Sequence, residues 1–184
     1  MCGVSGNCGT THLCIALSHF LSGKFVANTA YLEVNASNEI ASLSKKTDKT
    51  LPFTKNKITY YPKLTLSNAE KILTKHYKYF VLDFGNPNSH TFPVFTRCDI
   101  RIIIGYTQPW KQAAYEKFVH EHTFIQQKNK EDCYYIGNIM GSQGSLDKLS
   151  KKLGVRMIPM PFFSNPFQIT SEQFSFFEEI LGGK

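Results

Sequence analysis

The sequence predicts an α/β fold: a mostly parallel sheet flanked by helices. Three observations predict it. Short apolar runs alternate with helical stretches, several of those runs are continuous, as in strands buried on both faces, and a glycine-rich loop opens directly into the first helix. With 184 residues, 42% of them hydrophobic and 14% aromatic, the chain is long enough to build a real core. Charged residues make up only 19%, which excludes wholesale disorder.

The elements follow in order. Residues 1–11 are rich in Gly, Ser, Asn and Thr, and THLCIALSHFLS (11–22) places Leu13, Ile15, Ala16, Leu17, Phe20 and Leu21 close to helical spacing. Gly23 is the expected stop of that helix. FVANTAYLEV (25–34) reads as a strand, 36–56 as a polar lysine-rich loop, 57–61 as a short strand before Pro62, and 66–76 as a small helix. YFVLDFG (79–85) is a buried strand ending in an acid, followed by an Asn/Pro/Ser loop. In the second half, IRIIIG (100–105) is a strand and Pro109 opens a helix through about His122, in keeping with proline's place in a first turn. A charged loop (128–132), a strand (133–139), a helix (145–153), a strand (155–158), a Pro- and Phe-rich turn (159–167) and a last helix (171–181) complete the chain. No boundary or internal repeat interrupts it, so residues 1–184 read as a single domain.

Several classes are excluded at this level. No run approaches the 18 apolar residues of a membrane span, and the first residues lack the layout of a signal peptide. Five cysteines, with no C-x-x-C among them, argue against a disulfide framework or structural zinc and favour a reducing, cytoplasmic setting. The net charge of +7 is concentrated. Residues 45–78 carry nine lysines (Lys45, Lys46, Lys49, Lys55, Lys57, Lys63, Lys71, Lys75, Lys78) against Asp48 and Glu70, leaving twelve basic and twelve acidic residues elsewhere. A solvated surface is the plain reading, and non-specific nucleic-acid binding is the functional one. The segment lacks arginine, the usual reader of base edges.

GVSGNCGTT (3–11) is the strongest motif. Glycines let backbone N–H groups fold around an anion, and the following helix adds its dipole, so a phosphate is the natural occupant. The standard loop G-x-x-x-x-G-K-[ST] requires a lysine that this chain lacks. GNCGTTHLCIALSHFLSGKFVANTAYLEVN resembles the opening of the ParA/MinD family of deviant P-loop ATPases, including its TadZ/CpaE-like branch in bacteria. YFVLDFG resembles that family's Walker B-like strand, CDIRIIIG its next core strand, YYIGNIM the strand ending in a base-contacting Asn, and VRMIPMPFF the adenine-side loop. The resemblance implies a three-layer α/β/α P-loop NTPase-like domain binding ATP or ADP with Mg²⁺. On this chain the nucleotide would fall to Gly6, Asn7, Cys8, Gly9, Thr10, Thr11, His12 and Asn138, and the metal to Thr11 and Asp83. The family also has an apolar strand before its loop, whereas only Met1 and Cys2 precede Gly3 here, so a truncated first strand is expected.

The departures define the functional expectation. The family's signature lysine falls on Ser5 and its P-loop lysine on Thr10. Its two switch acids fall on Glu33 and Asn35. Phosphoryl transfer rests on positioning and electrostatic stabilisation, so losing two cations and a water-orienting carboxylate costs orders of magnitude in rate. The expectation is an adaptor or localisation factor with little or no hydrolysis and no catalytic residue, associating with itself or a protein partner. The alternatives are an ATPase using a substitute lysine and a nucleic-acid binder.

Other constellations are weaker. Asp83-Phe84-Gly85 lacks every other kinase signature. His120 and His122 diverge by about 200° on a helix and do not share an ion easily. Cys8 sits where a helix N-terminus can lower a thiol pKa, but no partner for a nucleophile is evident. Trp110, Tyr106, Tyr115 and Phe118 read as core packing of the 109–122 helix. The last helix lines up Phe174, Phe177 and Leu181, and its Glu172, Glu178 and Glu179 oppose docking on anionic lipid, so direct membrane insertion is not expected.

Overall fold

In the computed structural model, which describes residues 1–35, 37–123, 132–138 and 143–181, the strands assort into two four-stranded sheets. The chain divides into two units, Met1–Thr10 with Asn86–Pro161, and Thr11–Gly85 with Phe162–Lys184.

The first unit holds β1 (Cys2–Gly3), β6 (Arg101–Tyr106), β7 (Cys133–Asn138) and β8 (Met157–Pro159), all parallel, in the order β1-β6-β7-β8. Its helices are α3 (Phe92–Phe95), α4 (Gln112–Glu121) and α5 (Gln143–Leu153). Ile102, Ile103 and Ile104 are all buried, which explains why this strand is a continuous apolar run rather than an alternating one. Gly105 and Gly137 stand opposite one another across β6 and β7. A Cβ on Gly105 would lie 2.4 Å from Val4 Cγ2 and 2.6 Å from the Tyr115 ring, so the glycine makes room for that ring against the sheet. Buried there, the Tyr115 hydroxyl donates to the carbonyls of Ile103 (3.0 Å) and Ile136 (3.3 Å).

β1 is a two-residue strand, paired Cys2 to Ile103 and Gly3 to Ile104, and the Val4 N–H extends the ladder to the Ile104 carbonyl. Pro109 does not open regular helix as expected. It stands in a turn closed by Lys111 and Gln112 N–H on the Gln108 carbonyl, and α4 begins at Gln112. Trp110, expected in the core, projects from that turn 78% exposed, while Tyr115 and Phe118 are buried. His122 stacks on Phe92 with centroids 3.9 Å apart. The charged loop expected over 128–132 lies outside the described residues except for Asp132, as does residue 139.

The second unit holds β2 (Thr29–Glu33), β3 (Phe53–Lys55), β4 (Ile58–Tyr61) and β5 (Tyr79–Asp83) in the order β3-β4-β2-β5, with only β3 antiparallel. Its helices are α1 (whose first residue, Thr10, closes the other unit; Thr10–Lys24), a 3-10 turn (Ile40–Leu43), α2 (Leu66–Leu73) and α6 (Ser171–Leu181). α1 is buried on most sides, and Phe20 packs on Phe174 and Phe177 of α6 at 4.9 and 5.1 Å. It runs through Gly23 and stops later than expected. Phe25 N–H still reaches the Leu21 carbonyl, and Val26 takes the left-handed turn (φ 46°) that ends the helix. Residues 25–28 are consequently turn and linker, and β2 is confined to Thr29–Glu33.

The lysine-rich loop is partly ordered by the 3-10 turn and by β3 on the sheet edge. α2 is capped by Thr65, whose hydroxyl accepts from Asn68 N–H, and ends three residues early. α6 opens with a reciprocal box: Gln173 Oε1 accepts from Thr170 N–H and Thr170 Oγ1 from Gln173 N–H. Its buried side is Gln173, Phe176, Phe177 and Ile180, not the Phe174–Phe177–Leu181 line expected. Among the described residues no helix is long and apolar enough to cross a membrane.

Candidate functional site

The glycine-rich loop belongs to the first unit and is held by side chains from the C-terminal ends of β6 and β7, where open α/β sheets bind ligands. Tyr106 OH donates to the Asn7 carbonyl at 2.6 Å, and Asn138 Nδ2 donates to the Cys8 carbonyl at 3.0 Å. A trans peptide directs its N–H opposite to its C=O, so these two bonds turn the N–H groups of Cys8 and Gly9 away from β6 and β7. Asn7 (φ 59°) and Gly9 (φ 98°) supply the left-handed turns that a concave loop needs, while Gly6 is open to solvent.

Under the loop, the buried Cys8 thiol donates to the Ile104 carbonyl at 3.3 Å and lies 3.4 Å from Thr10 Oγ1. Burial pushes this thiol up, against the smaller opposing pull of hydrogen bonds from Thr10 and nearby backbone. The lowered pKa considered for Cys8 is therefore corrected: its side chain fills the floor of the loop as a neutral thiol. Thr10 is likewise buried. Lys111 Nζ lies 3.8 Å from the centroid of the Tyr106 ring, and among the described residues of this unit no lysine is hydrogen-bonded to the loop.

One peptide bond further on, Thr11 starts the second unit's share of the residues singled out from sequence. Its Oγ1 donates to Asp83 Oδ2 at 2.7 Å, across 72 residues of chain. Asp83, the last residue of β5, is 0% exposed. Its other partners are Tyr31 OH, 2.7 Å from the same Oδ2, and Gly85 N–H, 2.9 Å from Oδ1. These three donors, the ones found among the described residues, are uncharged. Burial, and next the charge of Asp83, drives the Tyr31 hydroxyl far above the ordinary tyrosine range, so it remains a proton donor.

Tyr31 is the residue that sequence reasoning missed. The signal was a tyrosine inside a buried strand, whose hydroxyl must find a partner.

Glu33 lies opposite Asp83 in the β2–β5 register but is occupied elsewhere. Its Oε2 accepts from Lys63 N–H at 3.0 Å and its Oε1 from Ile40 N–H and Ser37 Oγ, each at 3.3 Å. Burial raises its pKa, opposed by those backbone hydrogen bonds. Glu33 thus ties two loops to the sheet. Asn35 Oδ1 accepts from Ser37, and its buried Nδ2 has no partner among the described residues. His12 turns its ring edge-on to Phe163 at 6.0 Å, its buried Nε2 has no partner among the described residues, and burial lowers its pKa. The structure therefore joins Asn7, Cys8, Thr10 and Asn138 in one unit, and Thr11 with Asp83 in the other. His12 joins neither network.

No protein-family model matches the sequence, and no curated protein matches it either. Solved structures do. McdA from Cyanothece in complex with ATP is 14% identical, with a TM-score of 0.68 over 98% of this chain and 95% of that one. A putative plasmid partition protein from Borrelia burgdorferi, bound to AMPPNP, is 15% identical, with a TM-score of 0.63 over 98% and 95%. The cell division ATPase MinD from Pyrococcus furiosus is 10% identical, with a TM-score of 0.63 over 99% and 98%. At this level of identity the likeness is one of fold: the chain has the three-layer α/β, mostly parallel P-loop NTPase-like fold seen in ParA/MinD-type ATPases.

Proposed function

We propose that this chain is a degenerate ParA/MinD-like protein, of the TadZ/CpaE-like branch, that binds nucleotide weakly and works as an adaptor or localisation factor with little or no ATP hydrolysis. The observation that carries the nucleotide part is the Thr11–Asp83 pair: a fully buried carboxylate whose hydrogen-bond donors among the described residues are all neutral, bonded to a hydroxyl two residues after the glycine-rich loop's Gly9. A buried carboxylate that no cation among the described residues balances is costly, and a divalent metal is a group that would balance it. The residues thus fit Mg²⁺, held by Thr11 and Asp83. Residues 6–10, immediately before Thr11, would receive phosphate. Mg²⁺ held by this pair would supply positive charge.

The absence of hydrolysis is supported by what stands in place of the cations and the switch acid. Ser5 and Thr10 carry no charge, Thr10 packs on Cys8, Glu33 is committed to backbone N–H groups, and Asn35 is not an acid. An output by association follows, in a cytoplasmic bacterial setting, through a second copy or another protein. One neighbour in fold, MinD of Aquifex aeolicus, is seen in complex with MinC. The chain is proposed to act as a single P-loop-type domain.

Calorimetric titration of Mg-ATP and Mg-ADP tests this. Weak binding is expected, reduced at least tenfold in Thr11→Val and in Asp83→Asn, with phosphate release near background. Binding unaffected by either change, or turnover at the rate of active family members, would refute the reading. A second reading, non-specific nucleic-acid binding, is favoured by one observation: the nine lysines of 45–78 are all exposed, and none forms an ion pair among the described residues.

A further inference from the structure

A carboxylate offers about four acceptor positions, two on each oxygen. On Asp83 three are taken. Oδ2 accepts from both Thr11 Oγ1 and Tyr31 OH, each at 2.7 Å, and Oδ1 accepts from Gly85 N–H at 2.9 Å. Tyr31 is fully buried in the middle of β2 and packed on Tyr60, with ring centroids 5.4 Å apart. β2 pairs with both β4 and β5, and Val81 is the register partner of Tyr31 two residues before Asp83. The tyrosine is therefore fixed by backbone and ring packing independently of its hydroxyl, and the hydroxyl is presented to Asp83 as a rigid donor.

Divalent cations differ in what they ask of such a carboxylate. Mg²⁺ is small, holds its waters, and is satisfied by a limited carboxylate contact in an octahedral shell. Ca²⁺ takes six to eight oxygens and commonly uses a carboxylate through both of its oxygens. The three donors among the described residues leave Asp83 one open position, on Oδ1. That suits a metal-bound water, through which Asp83 would reach the ion, and obstructs bidentate ligation.

We propose that Tyr31 is a specificity-determining residue of the Thr11–Asp83 metal site: by filling the second acceptor position of Asp83 Oδ2, it selects Mg²⁺ over Ca²⁺. This rests on the reading of Thr11 and Asp83 as the metal-holding pair. Tyr31 touches no substrate in this scheme; it acts by limiting what Asp83 can accept.

The test is calorimetric affinity for ADP with Mg²⁺ and with Ca²⁺, in the parent, in Tyr31→Phe and in Tyr60→Phe. The last removes a neighbouring hydroxyl that is bonded to His19 instead of Asp83. The parent should prefer Mg-ADP at least tenfold. Tyr31→Phe should cut that ratio threefold or more, and Tyr60→Phe should leave it unchanged, because weakened packing alone moves both affinities together.

A parent that binds ADP and a Tyr31→Phe protein with the same ratio would overturn this inference while leaving the nucleotide site standing. A parent that binds no ADP with either metal would remove both. Should Tyr31→Phe fail to fold, electron–nuclear double resonance on the parent decides, with ¹³C-labelled aspartate and Mn-ADP. Weak carbon coupling, as for a carboxylate reached through water, is expected. Strong inner-sphere coupling would contradict the proposal.

Discussion

At Val26 the chain ends its first helix with a β-branched residue at φ 46° and 81% exposed. A side chain in this conformation costs about 1–2 kcal/mol, and glycine is the usual occupant. Val26→Gly should therefore stabilise the protein by roughly 0.5–1 kcal/mol after the extra chain entropy of glycine is subtracted. Thermal denaturation should show a rise of about 2–4 °C per kcal/mol. His19 and His122 make a second prediction. Burial lowers both pKa values, with Lys55 adding to the effect on His19 and Glu121 opposing it on His122. The unfolded chain takes up these protons first, so their contribution is fully present above the ordinary value of 6.5 and is lost as pH falls through the folded values. Stability should drop from pH 7 to 5.5, and His19→Gln with His122→Gln should flatten that slope in denaturant titrations. Glu33 acts with the opposite sign: its raised pKa is unfavourable above its folded value and without effect below the ordinary 4.5. Thr11 and Asp83 were legible because a hydroxyl after a glycine loop and an acid at a strand end are chemistry written locally. Tyr31 was not, since the partner of a buried hydroxyl is decided by strand order, here the placement of β2 beside β5.

At the scale of elements, the facing glycines of β6 and β7 are the point of least tolerance. Gly105→Ala would drive a methyl group into Val4 and Tyr115, both held by the sheet. Such overpacking costs about 1–3 kcal/mol, and the denaturation midpoint should fall without a change in m-value. Strand cores were readable from sequence because continuous isoleucines leave few alternatives. Helix ends were harder. Gly23 and Pro109 are the strongest local stop and start signals, yet each lies within a turn or helix whose boundary is placed elsewhere by backbone hydrogen bonds of Phe25 and Gln112. In α6 the buried side is shifted because Phe176 and Phe177 both face inward, an arrangement helical spacing alone does not rank above Phe174 and Phe177.

For the molecule as a whole, charge is the property with the longest reach. The basic excess sits in the second unit, on β3, α2 and the connections around them. If nucleic acid is a partner, affinity should fall steeply with salt. Changing Lys45, Lys46 and Lys49 to Gln should reduce the slope of log K against log salt by roughly 0.9 for each phosphate no longer neutralised, as fluorescence anisotropy would measure. Salt-insensitive binding would exclude that role.

The pairing of Cys2 with Ile103 has a consequence in time. The loop that follows β1 rests on Ile104, Tyr106 and Asn138, none of which exists when residues 1–10 leave the ribosome. At roughly 5–20 residues per second, the hundred or so residues to β6 take about 5–20 s to synthesise, and Asn138 follows later still. Until then the growing chain carries a glycine-rich segment without the strand ends that shape it.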